Sequence, residues 1–138
     1  MADPLSVISS ITAILQLAGK VVKFLSDVKD ASTTCNRILV EIGSLNGLLS
    51  SIKGFLDEAE TGEVWSATAR SLGASTGPLA QFKLALEQVA TRIEPIIRSR
   101  KAGRAFVWPL RKDEVMDILY TLERQKTLFI FALQNDHM

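Results

Sequence analysis

The stretch that decides the fold is residues 38–56, which read ILVEIGSLNGLLSSIKGFL. Large apolar residues recur there at steps of four and three residues, a spacing that keeps their side chains on one face of an α-helix. Polar residues and glycines hold most of the positions between them, so the pattern predicts an amphipathic helix over residues 33–57. The apolar seam of this helix comprises Ile38, Ile42, Leu45, Leu49, Ile52 and Leu56.

The same periodicity predicts three more long helices, over residues 4–29, 78–98 and 111–134. Asp3 and Pro4 are an N-cap residue and a first-turn proline, Pro78 opens the third helix, and Asp113 and Glu114 suit the first turn of the last. The first helix has the broadest stripe, with Val7, Ile14, Leu17, Val21 and Phe24 widening it. Its main positions are Leu5, Ile8, Ile11, Leu15, Ala18, Val22, Leu25 and Val28.

The third and fourth helices each contain one residue that does not suit its position. Pro95 falls within the seam formed by Leu79, Phe82, Leu86, Val89, Ile93 and Ile96, so the third helix is expected to kink or end near Glu94. Gln125 is polar in a seam otherwise formed by Val115, Ile118, Leu122, Phe129 and Ala132. It is interpreted as a partly exposed or hydrogen-bonded residue at the edge of the core, or as a device that fixes the register of the helices.

Four long amphipathic helices without a strand pattern predict the all-α class. The expected architecture is a single domain over residues 1–138, a four-helix bundle with an additional short helix. That short helix is expected around Val64, Trp65, Ala69 and Leu72, before a loop at residues 73–77.

The composition excludes several classes of function. The 16 basic and 15 acidic residues of the 138-residue chain leave a net charge of +1, which does not favour nucleic acid as a partner. A single cysteine, Cys35, and a single histidine, His137, cannot form an internal disulfide or a structural zinc site. We therefore expect no cofactor, no metal and no enzymatic activity, and a reducing, cytoplasmic compartment.

The first helix is unusual because it has no charged residue between Pro4 and Gly19. From Pro4 to Val28 it would extend about 37 Å, enough to cross a hydrocarbon layer of about 30 Å. Its polar residues are Ser, Thr and Gln, which cost less to transfer into lipid than Lys or Asp. Either this helix is central in the bundle and covered on several sides, or it has a conditional role in a membrane.

The chain also has a dense basic segment, because residues 100–112 hold five basic and no acidic residues. This segment is either a solvated connector between helices or a contact for anionic lipid headgroups, near which each Lys or Arg adds about 1 kcal/mol. Trp108 within it either lies at the membrane interface or caps the core of the bundle. The expected lipid-contact residues are Arg100, Lys101, Arg104, Trp108, Arg111 and Lys112.

Several short stretches resemble one family. They read MADPLSV at 1–7, LAGKVV at 17–22, GPL at 77–79, WPL at 108–110, ERQKTLF at 123–129 and ALQND at 132–136. Over essentially the whole chain the sequence resembles the HeLo-like N-terminal domain of fungal STAND receptors, the class with NACHT, NB-ARC and ankyrin-repeat modules. The family is similar to HeLo cell-death domains and to the helical bundle of the necroptotic pseudokinase.

This resemblance implies a pore-forming cell-death effector of an innate-immunity or heterokaryon-incompatibility receptor. It implies that the domain oligomerises with itself and that its first helix inserts into the plasma membrane upon activation. It also implies a nucleotide-binding module as a partner, in a parent receptor or another chain, so the sequence is either an excised domain or a stand-alone protein. The expected insertion residues are Asp3, Leu5, Ile8, Ser9, Ile11, Leu15 and Gln16.

Two interpretations stay open at this point. Asp3 either caps the first helix or lines the mouth of a pore, and both can hold in different states. The domain as a whole is either the pore-forming effector or, as the alternative, a helical oligomerisation or adaptor module that signals without membrane insertion.

Overall fold

The computed structural model describes residues 4–26, 33–58, 72–74, 77–101 and 110–136. These residues form four long α-helices, α1 (Pro4–Ser26), α2 (Thr33–Glu58), α3 (Pro78–Lys101) and α4 (Lys112–Asp136). No strand occurs within the described ranges, and the all-α class is confirmed. The expected short helix falls mostly on residues outside these ranges, although Leu72 is described and lies buried in the core.

The four helices pack as a bundle in the cyclic order α1, α2, α4, α3. Residues 27–32 cannot span the length of α1, because seven chain steps reach about 25 Å at most, so α1 and α2 are antiparallel neighbours. The α3–α4 pair is also antiparallel, because Arg92 in the second half of α3 pairs with Glu114 near the start of α4. Phe82 near the start of α3 meets Phe129 near the end of α4, edge to face, with ring centroids 6.1 Å apart.

The core follows the predicted seams closely in α2, α3 and α4. All six seam residues of α2 are buried, as are Leu79 to Ile93 of the α3 seam and Val115 to Phe129 of the α4 seam. In α1 the buried residues form a narrower line than the apolar stripe of the sequence. Ile8, Leu15 and Val22 are only half-buried at the edges of this line. The buried residues of α1 are Val7, Ile11, Ile14, Ala18, Val21 and Leu25.

Of the two alternatives for Pro95, an end of the helix near Glu94 is wrong, because α3 continues through Pro95 to Lys101. Proline lacks one backbone donor, but the helix around it is retained where packing against neighbours compensates. Gln125 is not at the edge of the core either, since it is 2% exposed and its side-chain carbonyl oxygen has no hydrogen-bond partner.

The starts of α3 and α4 have the local chemistry expected from the sequence. Gly77 precedes Pro78, and its carbonyl accepts the first helical bond from the N–H of Gln81 at 3.1 Å. At the start of α4 the backbone N–H of Arg111 donates to the side chain of Glu114 at 3.1 Å. This is half of a capping box, in which an acidic residue in the first turn satisfies a donor that has no partner within the helix.

Candidate functional site

The outer face of α1 is exposed along its whole described length. Its residues are small or neutral up to Gly19, and the charged residues Lys20 and Lys23 follow only in the last two turns. The helix packs against α2 and α3, and this face of it is left exposed. We call this surface the α1 outer face, and it comprises Ser6, Ser9, Ser10, Ala13, Gln16 and Gly19.

The expected insertion residues lie on both sides of this helix. Ser9 and Gln16 belong to the α1 outer face, whereas Ile11 is fully buried against the bundle. Ile8 and Leu15 lie between these two sides and are half-buried against the core. Leu5 belongs to α1, but its side chain lies outside the described residues, as does the whole of Asp3. Insertion would therefore have to expose a face that the bundle now covers.

Length and composition allow α1 to cross a bilayer. The segment Ser6–Ser26 has 21 residues and is apolar enough for a membrane span, although the core helix of a soluble protein passes the same test. The hydroxyl of Thr12 donates to the backbone carbonyl of Ile8 at 3.0 Å, so this polar group is already satisfied within the helix. Lys20 and Lys23, the two charged residues, lie near one end, from which long side chains can reach the interface.

Apolar packing holds α1 in the bundle, with little help from ion pairs. Among the described residues α1 makes one ion pair with another helix, from Lys20 to Glu94 of α3, at 4.0 Å. The same carboxylate accepts a hydrogen bond from Arg98 at 2.9 Å, so Lys20 shares its partner. Exposed pairs of this kind contribute at most about 1 kcal/mol each. The release of α1 therefore depends chiefly on the burial of its apolar line.

The other helices are joined by stronger polar contacts. Lys126 of α4 reaches the carboxylate of Glu41 of α2, with distances of 3.0 and 3.4 Å to its two oxygens. Arg92 of α3 pairs with Glu114 of α4, which is only 15% exposed. The polar contacts thus tie α4 to both of its neighbours more tightly than they tie α1.

The expected lipid-contact residues are only partly described. Arg100 and Lys101 form the end of α3, although their side chains are outside the described residues, and Arg104 and Trp108 lie outside altogether. Lys112 and Arg111 are exposed at the start of α4.

Acidic partners inside the fold already engage part of this basic charge. The guanidinium of Arg111 lies 3.3 Å from Asp113 and 3.4 Å from Glu114. Among the residues the structure describes here, Lys112 is the better candidate for a contact with an external anion.

The carboxyl group of Glu114 has a pKa below its ordinary value. The hydrogen bond from the backbone N–H of Arg111 is the largest cause, and burial opposes it. The guanidinium groups of Arg92 and Arg111 lower the pKa further by stabilising the carboxylate. Glu114 therefore stays ionised and joins the second half of α3 to the start of α4.

The structure also presents an apolar surface that sequence reasoning missed. On the outer side of α4, Tyr120 is 68% exposed, Phe131 60% and Met116 51%, and Leu128 and Ile130 are each about 40% exposed. The signal in the sequence was the presence of large apolar residues outside the α4 seam. We call this surface the α4 outer patch, formed by Met116, Tyr120, Leu128, Ile130 and Phe131.

The remaining reactive groups form no site in the described part of the chain. Cys35 is a buried thiol in α2, and burial raises its pKa, which disfavours the reactive thiolate. His137 lies outside the described residues. Within the ranges that are described, no group of three or more His, Cys, Asp or Glu residues could hold a metal ion.

Comparison with protein-family models, with curated proteins and with solved structures finds no match for this chain.

Proposed function

We propose that this domain is a membrane-targeting, pore-forming effector of programmed cell death that acts by self-association and by insertion of α1 into the plasma membrane. The observation that carries the proposal is the α1 outer face, which is exposed and uncharged from Ser6 to Gly19. The resemblance to HeLo-like domains motivates the cell-death role, and the exposed face gives that role a physical basis.

The energetics of α1 suit a helix with two environments. In the bundle its apolar line, from Val7 to Leu25, is removed from water by α2 and α3. A hydrocarbon layer would remove the same line from water equally well. The α1 outer face would then meet lipid or other copies of α1, and its hydroxyl and amide groups cost far less there than charges. A typical amphipathic bundle helix, with Lys and Glu on its outer face, would not tolerate this transfer.

The basic segment supplies the first contact with the membrane in this proposal. Lys112 is exposed at the start of α4, and Arg100 and Lys101 form the end of α3, so these basic residues belong to the same end of the α3–α4 pair. Arg104 and Trp108 lie between them in the sequence. Anionic headgroups would attract this end of the molecule over about one Debye length.

The proposal includes a cytoplasmic resting protein and an activating partner. The partner is a nucleotide-binding module that concentrates several copies of the domain, in a parent receptor or in another chain. Because the copies are then held close together, each one meets the others at a high effective concentration, which favours self-association.

The test is dye leakage from anionic and from neutral vesicles, with Gln16→Lys compared with wild type. Gln16 is exposed, so the variant should fold, but it is the middle residue of Ser6–Ser26, where a lysine side chain is too short to reach the interface, and the charge should abolish leakage. The matched control is Ser50→Lys, which puts the same charge on the exposed side of α2 and should leak as wild type does. Equal leakage by the Gln16→Lys variant would contradict insertion of α1.

A second candidate function is a helical oligomerisation or adaptor module that signals without membrane insertion. The α4 outer patch is the observation that favours it, because clustered apolar residues on a surface commonly mark a protein interface. This candidate predicts binding to a protein partner in solution, with no effect of Gln16→Lys.

A further inference from the structure

The end of the bundle at which α3 stops and α4 starts also receives positive charge from α1. Lys20 of α1 lies 4.0 Å from the carboxylate of Glu94, which is one turn before Arg98 in α3. The ammonium group of Lys20 also lies over the ring of Phe24, 5.6 Å from its centre, which holds it at the boundary between α1 and α3. The tertiary structure therefore brings Lys20 next to the basic end of α3, although the two are far apart in the sequence.

Three helices contribute basic residues to this part of the surface. The pair Arg92–Glu114 fixes the side of α3 that faces α4, and the pair Lys20–Glu94 fixes the side that faces α1. Basic residues of α1 and of the start of α4 thus flank the end of α3 on two sides. We call this surface the basic end, and it comprises residues 20–26, 94–101 and 111–114. These residues include seven basic and three acidic ones, so the basic end has a net charge of +4.

The helix dipoles do not explain all of this charge. A dipole favours basic residues at the carboxyl end of a helix, which accounts for those at the end of α3. Arg111 and Lys112, however, stand at the amino end of α4, where the dipole disfavours a positive charge. Lys23 is exposed and makes no ion pair within the described part of the chain. Positive charge that neither the dipoles nor the acids of the fold balance indicates an anionic partner outside the molecule.

We propose that the basic end is a docking surface for the phosphate headgroups of an anionic membrane, in which Lys20 and Lys23 of α1 are contacts and Glu94 limits the affinity.

Glu94 occupies the place that a headgroup phosphate would take between two cations. One of its carboxylate oxygens lies 4.0 Å from Lys20 and accepts a hydrogen bond from Arg98 at 2.9 Å. The side chain of Arg98 is 75% exposed and that of Lys20 is 53% exposed, so both keep donors that are open to water. A headgroup phosphate can bind those donors, but the negative charge of Glu94 repels it. The carboxylate therefore weakens docking as long as it stays between the two cations.

A membrane suits the basic end better than a single small anion does. Its charges come from three helices, and packed helices have axes about 8–10 Å apart, so the charged surface is wider than one phosphate. A bilayer presents many phosphates side by side, and every Lys or Arg close to it adds to the attraction.

Docking through the basic end brings α1 itself to the membrane. Lys20 and Lys23 would then lie at the headgroups of the nearer leaflet, and the uncharged part of α1 from Ser6 to Gly19 is left to cross the hydrocarbon layer. This inference rests on the proposed function and deepens it, because it names the contact that precedes insertion.

The experiment is co-sedimentation of the whole chain with phosphatidylcholine vesicles that contain phosphatidylserine. Lys23→Gln should weaken binding about fivefold, the loss expected for one basic residue at an anionic surface. Lys20→Gln should weaken binding less, because Glu94 already offsets part of its charge. The matched control is Lys83→Gln, which removes the same charge from the exposed side of α3 near its other end and should bind as wild type does.

Glu94→Gln tests the second part of the proposal in the same assay. Removing this carboxylate should strengthen binding about fivefold, and Lys20→Gln added to it should then cost as much as Lys23→Gln costs in wild type. Glu123→Gln is the matched control, because it removes an exposed carboxylate of α4 that lies about 16 Å along the helix from Lys112, beyond a Debye length. Circular dichroism checks that each variant folds.

Three results would overturn the inference. They are binding of a Lys20→Gln, Lys23→Gln double variant that equals that of wild type, binding of Glu94→Gln that is no stronger than that of wild type, and binding of inorganic phosphate as tight as that of the vesicles. The last result, measured by calorimetry, would assign the basic end to a free anion.

Dye leakage from the same vesicles separates this inference from the proposed function. If Lys23→Gln loses binding while Gln16→Lys leaks as wild type does, insertion of α1 is wrong and docking stands. If the charge variants bind as wild type does while Gln16→Lys abolishes leakage, docking through the basic end is wrong and insertion stands.

Discussion

The Nζ atom of Lys20 on α1 lies 4.0 Å from a carboxylate oxygen of Glu94 on α3, and Arg98 donates to the same carboxylate. Both Lys20 and Glu94 are partly exposed to water, which screens their attraction. This shared pair is the ion pair that joins α1 to another helix in the described part of the chain, so charge contributes little to holding α1 in the bundle.

Removing that tie should change stability very little. Glu94→Gln should lower the free energy of unfolding by less than about 1 kcal/mol, because the pair is exposed and Glu94 is shared. Ile11→Ala should lower it by about 2–5 kcal/mol, because Ile11 is fully buried in the apolar line of α1. Unfolding in urea measures both changes. If Glu94→Gln cost as much as Ile11→Ala, charge and not packing would hold α1 in place.

Gln16→Glu should separate folding from membrane activity. Gln16 is exposed near the middle of Ser6–Ser26, so the unfolding free energy should stay within about 0.5 kcal/mol of wild type. In a bilayer the new charge lies near the centre and costs about 2.5 kcal/mol or more per helix, a cost repeated in every subunit of an oligomer. Thermal unfolding and dye leakage, measured together, check the two parts.

Ile11→Asp is the counterpart of that variant, because it should damage folding and leakage together. It buries an unpaired carboxylate in the bundle. A Gln16→Glu variant that folds and still causes leakage as wild type does would favour the adaptor function.

Reversing the basic segment should weaken binding to anionic vesicles. With Arg100, Lys101, Arg104, Arg111 and Lys112 all changed to Glu, binding should fall sharply, and added salt should weaken binding of the wild type. Of the single changes, Lys112→Glu should matter more than Arg111→Glu, because Arg111 is already engaged by Asp113 and Glu114. Co-sedimentation with vesicles measures the effect, and binding that ignores lipid charge would make this segment a simple connector.

Acid should weaken the junction of α3 and α4 through Glu114. Its pKa is lowered in the folded state, so its contribution to stability is present above the unfolded pKa of about 4.3 and is lost as pH falls through the lower, folded pKa. Glu114→Gln should therefore be less stable than wild type near neutral pH. The difference in melting temperature between the two should shrink towards zero in acid, and a difference that grew on acidification would contradict this assignment.

Replacing Gln125 by Met should stabilise the bundle. Gln125 is buried and its side-chain oxygen has no hydrogen-bond partner, so an apolar residue of similar length removes an unsatisfied acceptor. We expect a rise of about 1 kcal/mol in the free energy of unfolding, measured in urea. If Gln125 fixes the register of the helices, the same variant should populate more than one packing arrangement. Its amide signals in an NMR spectrum should then be broader and less dispersed than those of wild type.

A local pattern was enough to predict the helices and most of the core. The seam of α2 is buried at every predicted position, and Pro4 and Pro78 begin their helices as expected. The uncharged stretch before Gly19 could also be read directly from the sequence. These features depend on the 3.6-residue period and on the chemistry of the first turn, both of which involve neighbours along the chain.

The tertiary structure decided which groups meet and which side of each helix faces water. The apolar stripe of α1 is wide enough for two alternative lines of core residues. The line through Val7 and Ile14 is the buried one, because α2 and α3 pack against that side. Glu41 and Lys126 meet although 85 residues separate them in the chain. Tyr120 and Phe131 are exposed because α2 and α3 contact only the opposite side of α4. The 3.6-residue period determines which residues share a face of a helix. Which other helix packs against that face depends on residues far away in the sequence, and packing alone determines it.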